Sequence, residues 1–125
     1  MSPTEFMQEY ESAANRHDLE AMLDMIADDA IFWFSDGSVH IGKDAIARAI
    51  QSNFDAIKNE DYRITDLSWL TSSDDIAACV YEFHWSGEVA GKPASGGGRG
   101  TSLLKPINGQ WRLAHEHLSP GKTRT

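Results

Sequence analysis

A single cysteine, Cys79, stands in a chain of 125 residues, so no internal disulfide can form and a disulfide-stapled scaffold is excluded. A reducing compartment suits that usage, and a cytoplasmic location is expected. Long apolar runs are missing as well. The longest, Ile76 to Tyr81, falls far short of the ~20 residues that span a bilayer. The opening Met1-Ser2-Pro3-Thr4-Glu5 has neither a basic segment nor an apolar core, so no signal peptide is expected. Basic side chains are scarce: 11 stand against 19 acids, for a net charge of -8. That balance argues against nucleic acid, whose binding is driven by lysine and arginine meeting phosphates, and disfavours an anionic membrane surface. Four prolines and ten glycines are too few for a collagen-like chain, and 41% hydrophobic residues are too many for a disordered one. What remains is one acidic domain over residues 1–125, large enough to bury roughly two-thirds of its unfolded surface.

The order of elements says more than the composition. Ser2-Pro3-Thr4-Glu5 reads as a capped helix start, with Phe6, Tyr10, Ala13 and Ala14 following at helical spacing. Asp18 caps a second helix striped by Leu19, Met22, Leu23 and Ile26, which Asp28-Asp29 interrupts. Ile31 to Phe34 is a short strand, Ser35-Asp36-Gly37-Ser38 a turn, and Val39 to Ile41 a second strand. Gly42 and Asp44 open a third helix with Ile46, Ala49, Ile50, Phe54 and Ile57 on one face. The period then changes to two. Tyr62 to Leu70 and Ile76 to Gly87 read as strands, the latter with Cys79, Tyr81, Phe83 and Trp85 on one face and Val80, Glu82 and His84 on the other. Gly91 to Gly98 reads as a mobile connection. It is not a phosphate loop, since no Lys-Ser/Thr follows and a strand comes next. Arg99 to Lys105 and Gln110 to Ser119 form the last hairpin about Asn108-Gly109, and Pro120 to Thr125 is a tail. Helices first and hairpins after is an α+β layout: three N-terminal helices in a strongly curved, mostly antiparallel sheet. A cavity between the layers is where a ligand is expected.

Three stretches carry a family resemblance. Asn15-Arg16-His17-Asp18-Leu19 with Ala27-Asp28-Asp29-Ala30, then Ile41-Gly42-Lys43-Asp44-Ala45-Ile46, and finally Gly109-Gln110-Trp111 to His115-Glu116-His117-Leu118-Ser119 resemble signatures of nuclear transport factor 2-like, or SnoaL-like, proteins. The resemblance covers nearly the whole chain. It implies a cone-shaped, cystatin-like roll with a pocket, paired into a homodimer through the sheet. It does not imply one activity, since isomerases, cyclases, dehydratases and inert binding modules share the fold. The ending is also similar to the association domain of calcium/calmodulin-dependent kinase, whose carboxylate-binding arginines would fall on Ser102 and Leu118 here.

Three kinds of chemistry are in play. Ketosteroid isomerase chemistry needs a carboxylate base, a tyrosine and a protonated aspartic acid. A gapless match with that enzyme family places Tyr10 at the tyrosine, but Phe34 at the base and the acid-free stretch Thr101 to Leu103 at the second donor. Asp36, two residues beyond Phe34, could replace the base or be a solvated turn residue. Tyr10 could equally be a ring buried in a helix stripe. Metal is the second kind: His115 and His117 share a strand face, and Glu82 or His84 could complete a set, but no metal and no cofactor is expected. The third is a small, largely apolar ligand held against Phe34, Phe54, Tyr81, Phe83 and Trp85. Here the last hairpin decides. A two-residue turn sets the histidines opposite Ser102 and Gly100. A three-residue loop sets Thr101 opposite His115 and Arg99 opposite His117, gathering four polar groups that satisfy one another. The second register is the expectation, with Tyr10, His115 and His117 as candidate acid–base groups and Arg99 and Thr101 as ligand contacts. The rival is a non-catalytic module whose polar cluster serves dimerisation. Glu116 has no assigned role, and the excess of carboxylates reads as solubility.

Overall fold

The computed structural model of the chain describes residues 1–121, and the tail expected from Pro120 onward lies outside the described residues beyond Gly121. Helix α1 (Pro3–Asn15) starts on the expected capping box, with Ser2 and Glu5 bonded reciprocally. Helix α2 (Leu19–Asp24) starts on the Asp18 side chain, which accepts from the Ala21 N–H. It is shorter than its apolar stripe suggests. Strand β1 (Ile26–Trp33) already begins at Ile26, with Ala27, Ala30 and Phe32 inward and Asp28-Asp29 in solvent. The acidic pair therefore marks the open face of a strand. Strand β2 (Val39–Ile41) and helix α3 (Lys43–Ala56) follow, then the long strands β3 (Lys58–Ser72), β4 (Ala77–Val89), β5 (Lys92–Ile107) and β6 (Gln110–Pro120).

The sheet runs β2-β1-β6-β5-β4-β3, with β1 and β6 parallel and every other pair antiparallel. The helices pack on its inner face, α1 against β3 and α3 against β1 and β2. Burying Phe6, Met7 and Tyr10 from α1, Ile46, Ile50 and Phe54 from α3, and Phe32, Tyr81, Phe83, Leu104 and Leu113 from the strands makes one core. The edge strand β3 is not left bare. Asn15 accepts from the Tyr62 N–H (2.7 Å) and donates to the Tyr62 carbonyl (2.6 Å), while Glu11 accepts from the Ile64 N–H. Side chains of α1 thus stand in for a missing neighbouring strand.

The glycine run is not a loose connection. The turn is Ala90-Gly91, both at positive φ, and pairing with β4 resumes at once from Val89–Lys92. Gly96, Gly98 and Gly100 sit opposite Trp85, Phe83 and Tyr81, on the face where those rings lie. A Cβ on Gly100 would collide with the Tyr81 ring, and one on Gly96 with the Trp85 indole. Gly96 and Gly100 are gaps into which aromatic rings of β4 fold across the sheet, while Gly98 leaves room for the Ser119 backbone carbonyl.

Candidate active site

Asn108 and Gly109 at positive φ make a two-residue turn, so Ile107 pairs with Gln110 and Leu104 with Leu113. The expected three-residue loop is absent. One step further the register slips: Leu103 pairs with His115, Ser102 with Glu116 and Thr101 with His117, leaving Ala114 as the extra residue of a β-bulge. The slip decides the site. Regular alternation from the buried Leu113 would turn His115 and His117 inward; the bulge turns Glu116 inward instead.

His115 and His117, the candidate acid–base groups, therefore face away from the helices. The Trp33 ring stands edge-on to both, with centroids 5.1 and 4.9 Å away, and His115 Nδ1 lies 2.7 Å from the Ile31 carbonyl oxygen. Arg99 and Thr101 lie on the same outer face, lining an open depression of about 770 Å³ with Asp66 and Glu82. The four polar groups share a face, as expected, but Thr101 is opposite His117 and Arg99 opposite Ser119. No group of three or more His, Cys, Asp or Glu side chains is arranged to hold a metal among the described residues.

The inner face carries a different set. Glu116, only 4% exposed, lines a cavity with Tyr10, Phe34, Phe54 and Tyr62. This inner chamber, about 100 Å³, shares Phe34, Asn53, Glu60, Tyr62 and Leu118 with an outer mouth of about 260 Å³ that adds Asp36, Phe83 and Trp85. Together they reach the lower end of small-molecule site sizes. Phe34, Phe54, Phe83 and Trp85 therefore sit where a ligand wall was expected. Tyr81 stands one layer behind: its ring crosses Gly100, and its hydroxyl lies 2.8 Å from Ser102 Oγ and bonds the Glu116 carboxyl.

Burial pushes the Glu116 carboxyl up to about 7, against the opposing pull of the Tyr81 hydrogen bond. Burial, then the charge of Glu116, holds the phenols of Tyr10, Tyr62 and Tyr81 well above their usual range. The chamber thus presents neutral hydroxyl donors beside an acid that exchanges its proton near neutral pH. Cys79, also raised by burial, to about 11, is a protonated thiol at neutral pH. Asp36 is exposed in its turn, and Ser38 holds it below the usual carboxylate range by hydroxyl and then N–H hydrogen bonds. The Asn15-to-Leu19 stretch resolves into parts: Asn15 clamps β3, Asp18 caps α2, and His17 at positive φ reaches the rim. There its ring stacks on Phe54 (4.0 Å) and bonds Glu60 (2.8 Å).

Glu116 escaped sequence reasoning because a buried acid looks like any other acid until the register is known. A usable signal was the period-two match of Tyr81, Phe83 and Trp85 with Gly100, Gly98 and Gly96, which fixes the inner face of β5 and hence Ser102 as its member.

Solved structures share this architecture. A nuclear transport factor 2-like protein from Salmonella enterica superposes with a TM-score of 0.85 at 16% identity, over 98% of this chain and 90% of that one. A Novosphingobium aromaticivorans protein provisionally described as an aromatic ring hydroxylase gives 0.86 at 17% identity, over 98% and 88%. Another from the same organism, provisionally described as a scytalone dehydratase, gives 0.83 at 12% identity, over 97% and 83%. At these identities the likeness is one of fold. A search of curated proteins returned no match. Residues 4–122 match the family model of the SnoaL-like domain, and the chain belongs to that family.

Proposed function

We propose that the protein binds a small, largely apolar organic molecule inside the cone and moves a proton on it, in isomerase-, cyclase- or dehydratase-type chemistry. The observation that carries this reading is Glu116: a buried carboxyl on a cavity wall, bonded by Tyr81 and raised to about 7. A group whose value lies near ambient pH serves as either acid or base. Tyr10, on the same wall, supplies a neutral donor for charge developing on a substrate oxygen. The arrangement differs from ketosteroid isomerase, whose base position falls on Phe34. The acid enters instead from β6. The reading also favours a homodimer through the outer sheet face, where Ile31, Trp33, Val39 and Ile41 are exposed, in a reducing cytoplasm.

Saturation-transfer NMR with 2-naphthol as the probe tests the cavity. Binding is expected in the wild type and in His117→Ala, and not in Leu118→Trp, which fills the passage between mouth and chamber. Undiminished binding in Leu118→Trp, or its loss in His117→Ala, overturns the reading. Carbon-13 titration of the Glu116 carboxyl is expected to give a midpoint near 7 that moves when the probe is added. A midpoint at the ordinary 4.5 removes Glu116 from proton transfer.

A further inference from the structure

Charge at the mouth has one sign. Its lining brings Asp36 from the turn after β1 and Glu60 from β3, and the chamber behind it brings Glu116. Among the described residues, neither lining includes a lysine or an arginine. Both mouth carboxylates keep an oxygen for a guest. The two Ser38 hydrogen bonds to Asp36 fall on Oδ1, leaving Oδ2, and the His17 contact to Glu60 falls on Oε1, leaving Oε2. Between these acids the wall is aromatic, with Phe34, Tyr62, Phe83 and Trp85. Ring faces attract cations, and the Glu60 carboxylate, its side chain only 10% exposed, repels anions more strongly than it would in open water. Inside, the Tyr10 hydroxyl opens into the chamber, on a residue only 4% exposed, with no hydrogen bond among the described residues. A hydroxyl that meets cavity space in place of a protein partner is one that a ligand can satisfy.

We infer that the site takes a small arylalkyl amine. Its protonated nitrogen is held at the mouth by Asp36 and Glu60, and its apolar end lies in the chamber beside Tyr10. The inference rests on the cavity being the binding site and adds the ligand's charge. Acids at the mouth select by sign: a carboxylate or phosphate of the same size meets two like charges and no lysine or arginine in either lining.

Three probes of matched size separate the possibilities: 2-phenylethylamine, 2-phenylethanol and phenylacetate, titrated by NMR at pH 7 and low salt. The amine is expected to bind tightest and the carboxylate about tenfold or more weaker. In Asp36→Asn, which keeps an oxygen for Ser38, the advantage of amine over alcohol should fall by about threefold. In Asp36→Asn with Glu60→Gln it should nearly vanish, with the alcohol unchanged. Phenylacetate binding as tightly as the amine, or an amine advantage undiminished in Asp36→Asn, overturns the inference. Alcohol binding without amine preference overturns it while leaving the cavity reading intact. Failure of all three to bind overturns both.

Discussion

Glu116 and His117 are neighbours on one strand and live in different solvents. Glu116 faces the core, bonds a buried tyrosine and titrates near neutrality; His117 lies in the open, edge-on to a half-exposed tryptophan. By environment, the proton transfer proposed for this protein falls to the acid between the histidines and not to the histidines. The low dielectric inside makes proton exchange on Glu116 energetically consequential, whereas water dilutes the interactions of the outer pair. Inner and outer faces of β5 repeat the contrast. Gly96 and Gly100 yield space to the inner rings, while Arg99 and Thr101 line an open depression.

The largest effect should come from neutralising the inner acid. Folding raises the Glu116 carboxyl from 4.5 to about 7, so between those values the native state holds a proton that the unfolded chain has lost. Its contribution is complete below pH 4.5, falls as pH rises through the window, and levels off above about 7, a change of roughly 3 kcal/mol. Glu116→Gln should abolish that slope and be the more stable protein at pH 8. Urea unfolding at pH 5, 6, 7 and 8 measures both. An equal slope in the two proteins would place the carboxyl in water and erase the contrast with His117.

Elements governed by local rules were legible in the chain. The Ser2-to-Glu5 box, the Asp18 cap and the inward alternation of Cys79, Tyr81 and Phe83 all stand as expected. Features that depend on distant partners were not. The early start of β1 depends on the pairing of Ile26 with Leu113 of β6, and the strand character of Gly96 to Gly98 on their pairing with Phe83 to Trp85 of β4. At the site, one unpaired alanine outweighed every periodicity. Ala114 has no marker in sequence, yet it exchanges Glu116 for the histidines on the inner face.

Deleting Ala114 sharpens the comparison at a smaller cost. Both Ala114 and His115 oppose the single step between Leu104 and Leu103, so removing one restores regular alternation without turning the strand over. Leu113, Glu116 and Leu118 should stay inside and His115 and His117 outside. The loss should be about 1–2 kcal/mol, from the altered bend and the contact to β1. Retention of the pH-dependent stability assigned to Glu116 is the expected readout. Its disappearance from a protein that still folds would mean that the bulge does more than set the face.

The smallest effect on the fold belongs to the outer face. Trp33 is 42% exposed, and its ring meets only the edges of His115 and His117 among the aromatic side chains described. Trp33→Thr keeps a strand-forming residue in β1 and should alter the stability of the isolated chain by less than about 1 kcal/mol. Association is another matter: on the proposed dimer face, removing an aromatic ring among Ile31, Val39 and Ile41 should weaken self-association by tenfold or more, by analogy with aromatic anchors at interfaces, worth about 2 kcal/mol. Sedimentation velocity across a concentration series reads that change, and 2-naphthol binding read alongside should not move. A variant that stays dimeric while its cavity loses the probe would reverse the assignment of the two faces, making the histidine side the one that communicates with the site.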